Sequence, residues 1–409
     1  MRGKAIHYGW IIVALGFLSV LGAHGFGRFA YSLVLRDMKL SLDLTYAQMG
    51  DIASANFIGY LALATIGGAL ASKYGSRRVI SISAMVMGVT MILTGLSRSY
   101  FEVLVLRFLT GLGNGSTYLP SMALPSIWFA LKYRGRATGY VSAGIGVGFA
   151  LAGVLVPPIL ALYAPEGWRY VWFYLGSALI AISIVDLIFL RNRPEDLGLK
   201  PVGFEESTLS SSPSSSSSLR WGLVYKSKEV WFVGLVYFMY GFSYIIYVTF
   251  FAAYLEDVFG WSKALASSLW FMVGILSIFS GVIWGWVSDV LGRKYGMCLA
   301  YLVLASSYLL FAVALPPYGL YVSALVFGLT AWSIPTVAVV AAADYVSSEL
   351  RSAAAGFVTF FFGVGQVLGP KVAGHVIDVI GFPPAFIIAT LASLVGAFGS
   401  LLLKKPRKG

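Results

Sequence analysis

The chain is 409 residues long, 58% hydrophobic and only 11% charged, with a mean hydropathy of +0.83. Soluble domains carry about 25% charged residues, so a water-soluble globule is excluded, and one cysteine, Cys298, excludes an intramolecular disulfide and a cysteine-cluster metal site. The net charge of +12 does not point to nucleic acid, because the basic residues sit in short loops between long apolar segments.

Twelve segments are long and apolar enough to cross a bilayer, which takes about 20 residues each. They run over 8–35, 45–71, 79–97, 100–130, 137–163 and 168–190, then 229–255, 263–287, 296–315, 317–343, 352–377 and 382–403. Arg2 and Lys4 precede the first, but the run is too long for a signal-peptide core and no small-x-small cleavage site follows, so it reads as a membrane helix. Between the two sets of six lies 191–228, whose run from Ser207 to Ser218 is nearly all serine and reads as a low-complexity linker. The expected fold is therefore all-α, with twelve transmembrane helices in two pseudo-symmetric bundles, 1–190 and 229–409, joined by a linker at 191–228.

Orientation follows from Lys and Arg. The loops around Lys73, Arg77, Arg78, Lys132, Arg134, Arg136, Arg293, Lys294 and Arg351, the linker and both termini are rich in them, whereas the alternate loops hold only Arg36, Lys39, Arg98, Arg169 and Lys263. This places both termini in the cytoplasm of a cell-membrane protein. Arg28, Arg107 and Lys371 are left inside predicted helices.

The halves repeat each other at an offset of about 217. Gly68-Ala-Leu-Ala-Ser72-Lys73-Tyr-Gly75-Ser-Arg77 returns as Gly285-Trp-Val-Ser-Asp289-Val-Leu-Gly292-Arg293-Lys294, and Gly111, Arg134, Gly139 and Gly146 meet Gly328, Arg351, Gly356 and Gly363. At 216, Gly25-Phe26 meets Gly241-Phe242 and Tyr31 meets Tyr247. Repeated membrane halves belong to secondary transporters, with the substrate expected where they meet.

Charges inside the bilayer mark the candidate site, because they are costly there. In helix 1, His24, Arg28 and Tyr31 share one face, with Arg28 about 30 Å along the helix from its cytoplasmic start. A guanidinium among glycines suits a carboxylate, since it forks onto two oxygens; the alternative is an Arg28–Asp51 pair that ties helices 1 and 2. In helix 4, Arg107 precedes Gly111-Leu-Gly113-Asn114-Gly115 and needs a partner, for which Asp51 and Glu102 are available; the readings are a structural or gating pair, or coupling. Asn114 and Tyr118 are weaker substrate candidates on that helix, as is Trp332 on helix 10.

Helix 7 carries an aromatic stripe, Tyr237, Tyr240, Tyr244, Tyr247, Phe251 and Tyr254, which predicts a face toward a polar cavity; Tyr244, the repeat counterpart of Arg28, and Tyr247 are the expected hydroxyl donors. In helix 11, Lys371, His375 and Asp378 share a face, with Lys371 at the depth of Arg28. Lys371 is expected either on the substrate or paired with Asp378, and His375 either carries a transported proton or packs.

These motifs together resemble the major facilitator superfamily. The two loops resemble its signature Gly-x-x-x-Asp-(Arg/Lys)-x-Gly-Arg-(Lys/Arg); the second keeps Asp289, Gly292 and Arg293, which the resemblance implies act in gating, while the first has Ser72 in place of the acid. The Arg107 stretch resembles the family's second motif. Gly9-Trp10 with a cation 18 residues later looks like helix 1 of the monocarboxylate porters, and Tyr133-Arg-Gly-Arg-Ala-Thr-Gly139 through Gly148 resembles the helix 4–5 region of the monocarboxylate and oxalate:formate porters. The oxalate:formate porters also place a cation in helix 11. Helix 8, Leu269 to Val287, departs from the monocarboxylate pattern in having no charge.

The function expected is secondary transport of a small organic anion, a monocarboxylate, coupled to protons by alternating access. The alternative is a proton-coupled exporter of amphipathic compounds, whose mark, a Gly-Pro pair in helix 5, is absent there; Gly369-Pro370 lies in helix 11 instead. Three His and one Cys give no catalytic or metal cluster, and no phosphate-binding loop occurs, so neither an enzyme nor a cofactor or metal is expected. The expected partners are the organic anion, a proton and the bilayer, with the chain a monomer.

Overall fold

The computed structural model describes residues 7–204, 222–313 and 318–404, and over these it is nearly all helix. The serine run, Arg2, Lys4 and the basic tail from Lys405 lie outside the described residues. The long helices are α1 (Tyr8–Ser41), α2 (Tyr46–Tyr74), α3 (Ser76–Leu96), α4 (Tyr100–Trp128), α5 (Leu131–Leu162) and α6 (Gly167–Phe189), then α7 (Lys228–Phe259), α8 (Lys263–Leu291), α9 (Arg293–Val313), α10 (Tyr318–Ala343), α11 (Arg351–Ile380) and α12 (Phe382–Leu401). Ten of them are long and apolar enough to cross a membrane, or eleven with α2, which bends by 48° after Ala64. The twelfth, α4, has the length but carries the glycines, serines and threonines of the 110–121 stretch.

Local signals place the helix ends. Thr45 and Gln48 form a reciprocal capping box at α2, and Ser99, Ser227 and Ser262 cap α4, α7 and α8. The repeat has a conformational cause at Gly75 and Gly292, which end α2 and α8 with φ of 87° and 86°. That backbone region is open to glycine and strained for any side chain. The start of the linker is not free coil: Val202 exchanges backbone hydrogen bonds with Trp128 and Ala130, and Asn192 accepts from the Arg77 N–H.

Helices from opposite parts of the chain meet through small residues. A Cβ at Gly50 or Gly374 of α2 and α11 would strike the backbone of Pro370 or Tyr46, and one at Gly153 of α5 would strike α8 at Phe271. Without a hydrophobic drive between helices in lipid, such close approach is what holds them. Ion pairs add to this at one end of the bundle, the end of the 42–45 turn. There Arg36 meets Glu256 and Asp257, Lys263 meets Asp37, and Lys371 lies 3.5 Å from Asp51. Among the described residues, every ion pair joining the first six long helices to the last six lies at this end. At the Gly75 end, Arg293 pairs with Asp289 at 2.5 Å and Asp344 at 3.6 Å, within the last six.

Candidate functional site

The middle of α1 is not α-helical. Leu21–Phe29 forms wider π turns, closing with the Ala30 N–H on the Gly25 carbonyl. Gly22, Gly25 and Gly27 permit this and let α1 touch its neighbours: a Cβ on Gly25 would lie 2.4 Å from the Gly148 Cα of α5. Such widened turns recur at functional sites. They leave carbonyls to be satisfied, and α4 supplies the donors. Asn114 Nδ2 donates to Ala23 O at 2.7 Å, and Arg107 Nη1 donates to Gly27 O at 2.9 Å. Two polar residues seven apart on α4 thus clasp two carbonyls four apart on α1.

Arg28 projects from this segment and is buried, with 8% exposure. Its Nη2 donates to the Tyr244 hydroxyl at 3.3 Å, and its guanidinium lies 4.4 Å from the Phe57 ring centre and 5.2 Å from that of Tyr60. Among the described residues no carboxylate lies within salt-bridge distance of it. Tyr244 also takes a hydrogen bond from Gln366 of α11, and Trp332 of α10 sits edge-on to the Tyr244 ring. Four side chains of this group keep a buried polar atom without a protein partner: Arg28 Nε, Gln366 Oε1, Trp332 Nε1 and His24 Nδ1. Buried polar groups are normally paired. The donors among these, with a cation at their centre, fit an anionic group.

The other candidates fall into three places. His24 packs against Tyr118, with ring centres 4.4 Å apart and the planes tilted by 53°, beside Tyr60, and stays with the Arg28 group. Tyr31 is turned away, donating to Met49 O. Tyr247 faces the interior of the last six helices, bonded to Ser323 and ringed by Phe311 and Phe327. The aromatic stripe is therefore mostly interior packing, and only Tyr244 reaches Arg28. Lys371 and His375 are exposed on α11, and Lys371 pairs with Asp51 instead of Asp378. Asp378 caps α2 by accepting from the Tyr46 and Ala47 N–H groups. Asp51 is thus spent on Lys371 and on the Tyr100 hydroxyl, and does not reach Arg28.

Arg107 corrects the expectation of an acidic partner. It is 1% exposed and held by the Gly27 carbonyl and the rings of Trp172 and Tyr31, at 4.8 and 5.1 Å. Glu102 instead accepts from the Arg98 N–H at its own helix start. Sequence reasoning did not single out Gln366, whose signal is a single amide side chain in a glycine-rich helix. It also passed over Asp186, fully buried in α6 and bonded to Ser19 of α1 at 2.7 Å.

The chain matches, over residues 20–403, the family described as uncharacterised MFS-type transporter YbfB, and it belongs to these transporters of the major facilitator superfamily. Its relatives include a probable sulfoacetate transporter, SauU, of Cupriavidus necator, 26% identical over 88% of this chain and 86% of that one. Monocarboxylate transporter 2 of Homo sapiens is 24% identical, covering 91% and 80%. The fold is shared with a bacterial homologue of the human lysosomal transporter Spinster, at a TM-score of 0.78, 15% identity and 98% coverage of both chains. Relatives and fold neighbours alike are transporters rather than enzymes, so the chain is a multi-pass membrane transporter for a small molecule.

Proposed function

We propose that the protein carries a small organic anion, a monocarboxylate in the simplest case, across the cell membrane with a proton, by alternating access between two six-helix bundles, 1–190 and 229–409. The observation that carries this reading is Arg28: a guanidinium buried where α1, α7 and α11 meet, with a hydroxyl and an amide supplied from the far side and, among the described residues, no carboxylate to neutralise it. A substrate carboxylate supplies the missing charge at little reorganisation. The relatives named for sulfoacetate and monocarboxylates support an acidic substrate.

Positive-inside loops put the Gly75 end in the cytoplasm, with both termini, and make the charged end the external one. On this reading the external ion pairs are the closed gate and substrate reaches Arg28 from the cytoplasm. His24, packed against Tyr118 beside the site, is the proposed proton carrier. Asp289 and Arg293 are the proposed internal gate. The test is counterflow in proteoliposomes with a panel of small carboxylates and sulfonates, with and without an inward pH gradient. An acidic substrate should exchange in the wild type and not in Arg28→Ala. Undiminished exchange by Arg28→Ala would overturn the assignment.

A further inference from the structure

We propose that a second anion site, for one halide-sized inorganic ion, lies between Arg28 and Arg107. A cavity of about 20 Å³ opens there; both arginines line it, and Gln366 and Tyr244 do not. That is room for about one water-sized particle and too little for an organic acid. Its other walls are Phe29, Phe57, Ile245 and Val248, with Ser32 and Thr249 as hydroxyls; no acidic side chain lines it.

The charges do not balance without a ligand. Arginine stays protonated in proteins, and a buried ion is costly unless it is compensated. Arg28 has one hydroxyl and ring faces; Arg107 has one carbonyl and ring faces. The Nε of each has no protein partner, nor does the Ser32 hydroxyl, and all three residues are more than nine-tenths buried. Of the other polar groups of the wall, the Tyr31 hydroxyl is engaged on Met49 O and the Asn56 amide on Arg107 O. Two cations and a free hydroxyl around a one-particle cavity make an anion site, and water, which is neutral, leaves the charge unmet. A halide there balances Arg107, as the carried anion balances Arg28.

The test uses the full chain in detergent, with chloride, bromide, sulfate or gluconate at constant ionic strength. Thermal stability should rise saturably with chloride and bromide and not with sulfate or gluconate, which exceed the cavity. Arg107→Gln should abolish the halide effect. Should that variant not fold, Ser32→Ala decides: loss of one hydrogen bond to an ion should weaken the apparent halide affinity about tenfold. Gln366→Leu, which alters the organic-anion site and does not line the cavity, should keep the halide effect while losing counterflow, so the two assignments fail separately. Equal stabilisation by all four anions, or a Ser32→Ala response identical to wild type, would overturn the halide site.

Discussion

Arg28 is held by aromatic faces and one hydroxyl, so its substitution separates charge from geometry. Arg28→Ala should stop counterflow with the protein still folded. Arg28→Lys keeps the charge but loses the fork, and should raise the substrate's apparent Kd by about tenfold or more. Tyr244→Phe removes one hydrogen bond within a charged group, worth about 1.5–3 kcal/mol, and should weaken substrate binding at least tenfold while leaving folding intact. His24→Gln should abolish accumulation driven by a pH gradient and spare exchange at equal pH; accumulation that survives would remove His24 as proton carrier. The repeat made part of this legible: it matched Arg28 to Tyr244, and these two residues touch. It did not reveal Gln366, because one neutral amide in a glycine-rich helix reads as packing, and its partner is 122 positions away.

At the level of helices, hydropathy and spacing located the spans but misjudged both the depth and the facing of single polar residues on α11. Lys371 lies five residues beyond Gln366 on α11, about 7.5 Å along the axis; it is exposed and paired with Asp51 at the charged end, while Gln366 is fully buried on Tyr244 and shares the level of Arg28. Tyr247 is three residues from Tyr244, a net turn of only about 60°, and that is enough for it to face the interior of the last six helices on Ser323. The π turns of α1 were not foreseen, because hydropathy does not report where carbonyls go. Those turns predict a sharp contrast between glycines. Gly25→Ala would push a methyl into the Gly148 backbone and should cost about 1–3 kcal/mol, as overpacking does, lowering the detergent melting temperature. Gly139 has open space around its Cβ position, so Gly139→Ala should be neutral or stabilising by up to about 1 kcal/mol. Similar melting temperatures for the two variants would contradict the close α1–α5 contact.

Across the whole molecule, the glycines that repeat at Gly139 and Gly356 are exposed and uncrowded, whereas Gly50, Gly153 and Gly374 are pressed against facing backbones. On the proposed alternating access, the two sets would exchange roles. Gly139→Leu and Gly356→Leu should therefore leave the melting temperature near wild type and slow transport, because they obstruct a state not populated here; full transport by both would argue against closure on that face. A bismaleimide joining Asp37→Cys to Lys263→Cys, in a chain freed of Cys298, should stop flux while substrate still binds from the Gly75 side. Continued flux through the linked protein would refute a gate at these pairs.

The proposed external gate has a consequence for the medium in which the protein works. Arg36, Asp257 and Lys263 are each roughly one-third exposed, so their pairs feel dissolved ions. At about 0.15 M salt the Debye length is only about 8 Å, and screening lowers what the pairs contribute to keeping that end shut. The glycine contacts beneath them carry no charge and are indifferent to salt. Opening toward the outside should thus quicken as external ionic strength rises, so that the carrier's turnover is set partly by the salinity of its surroundings.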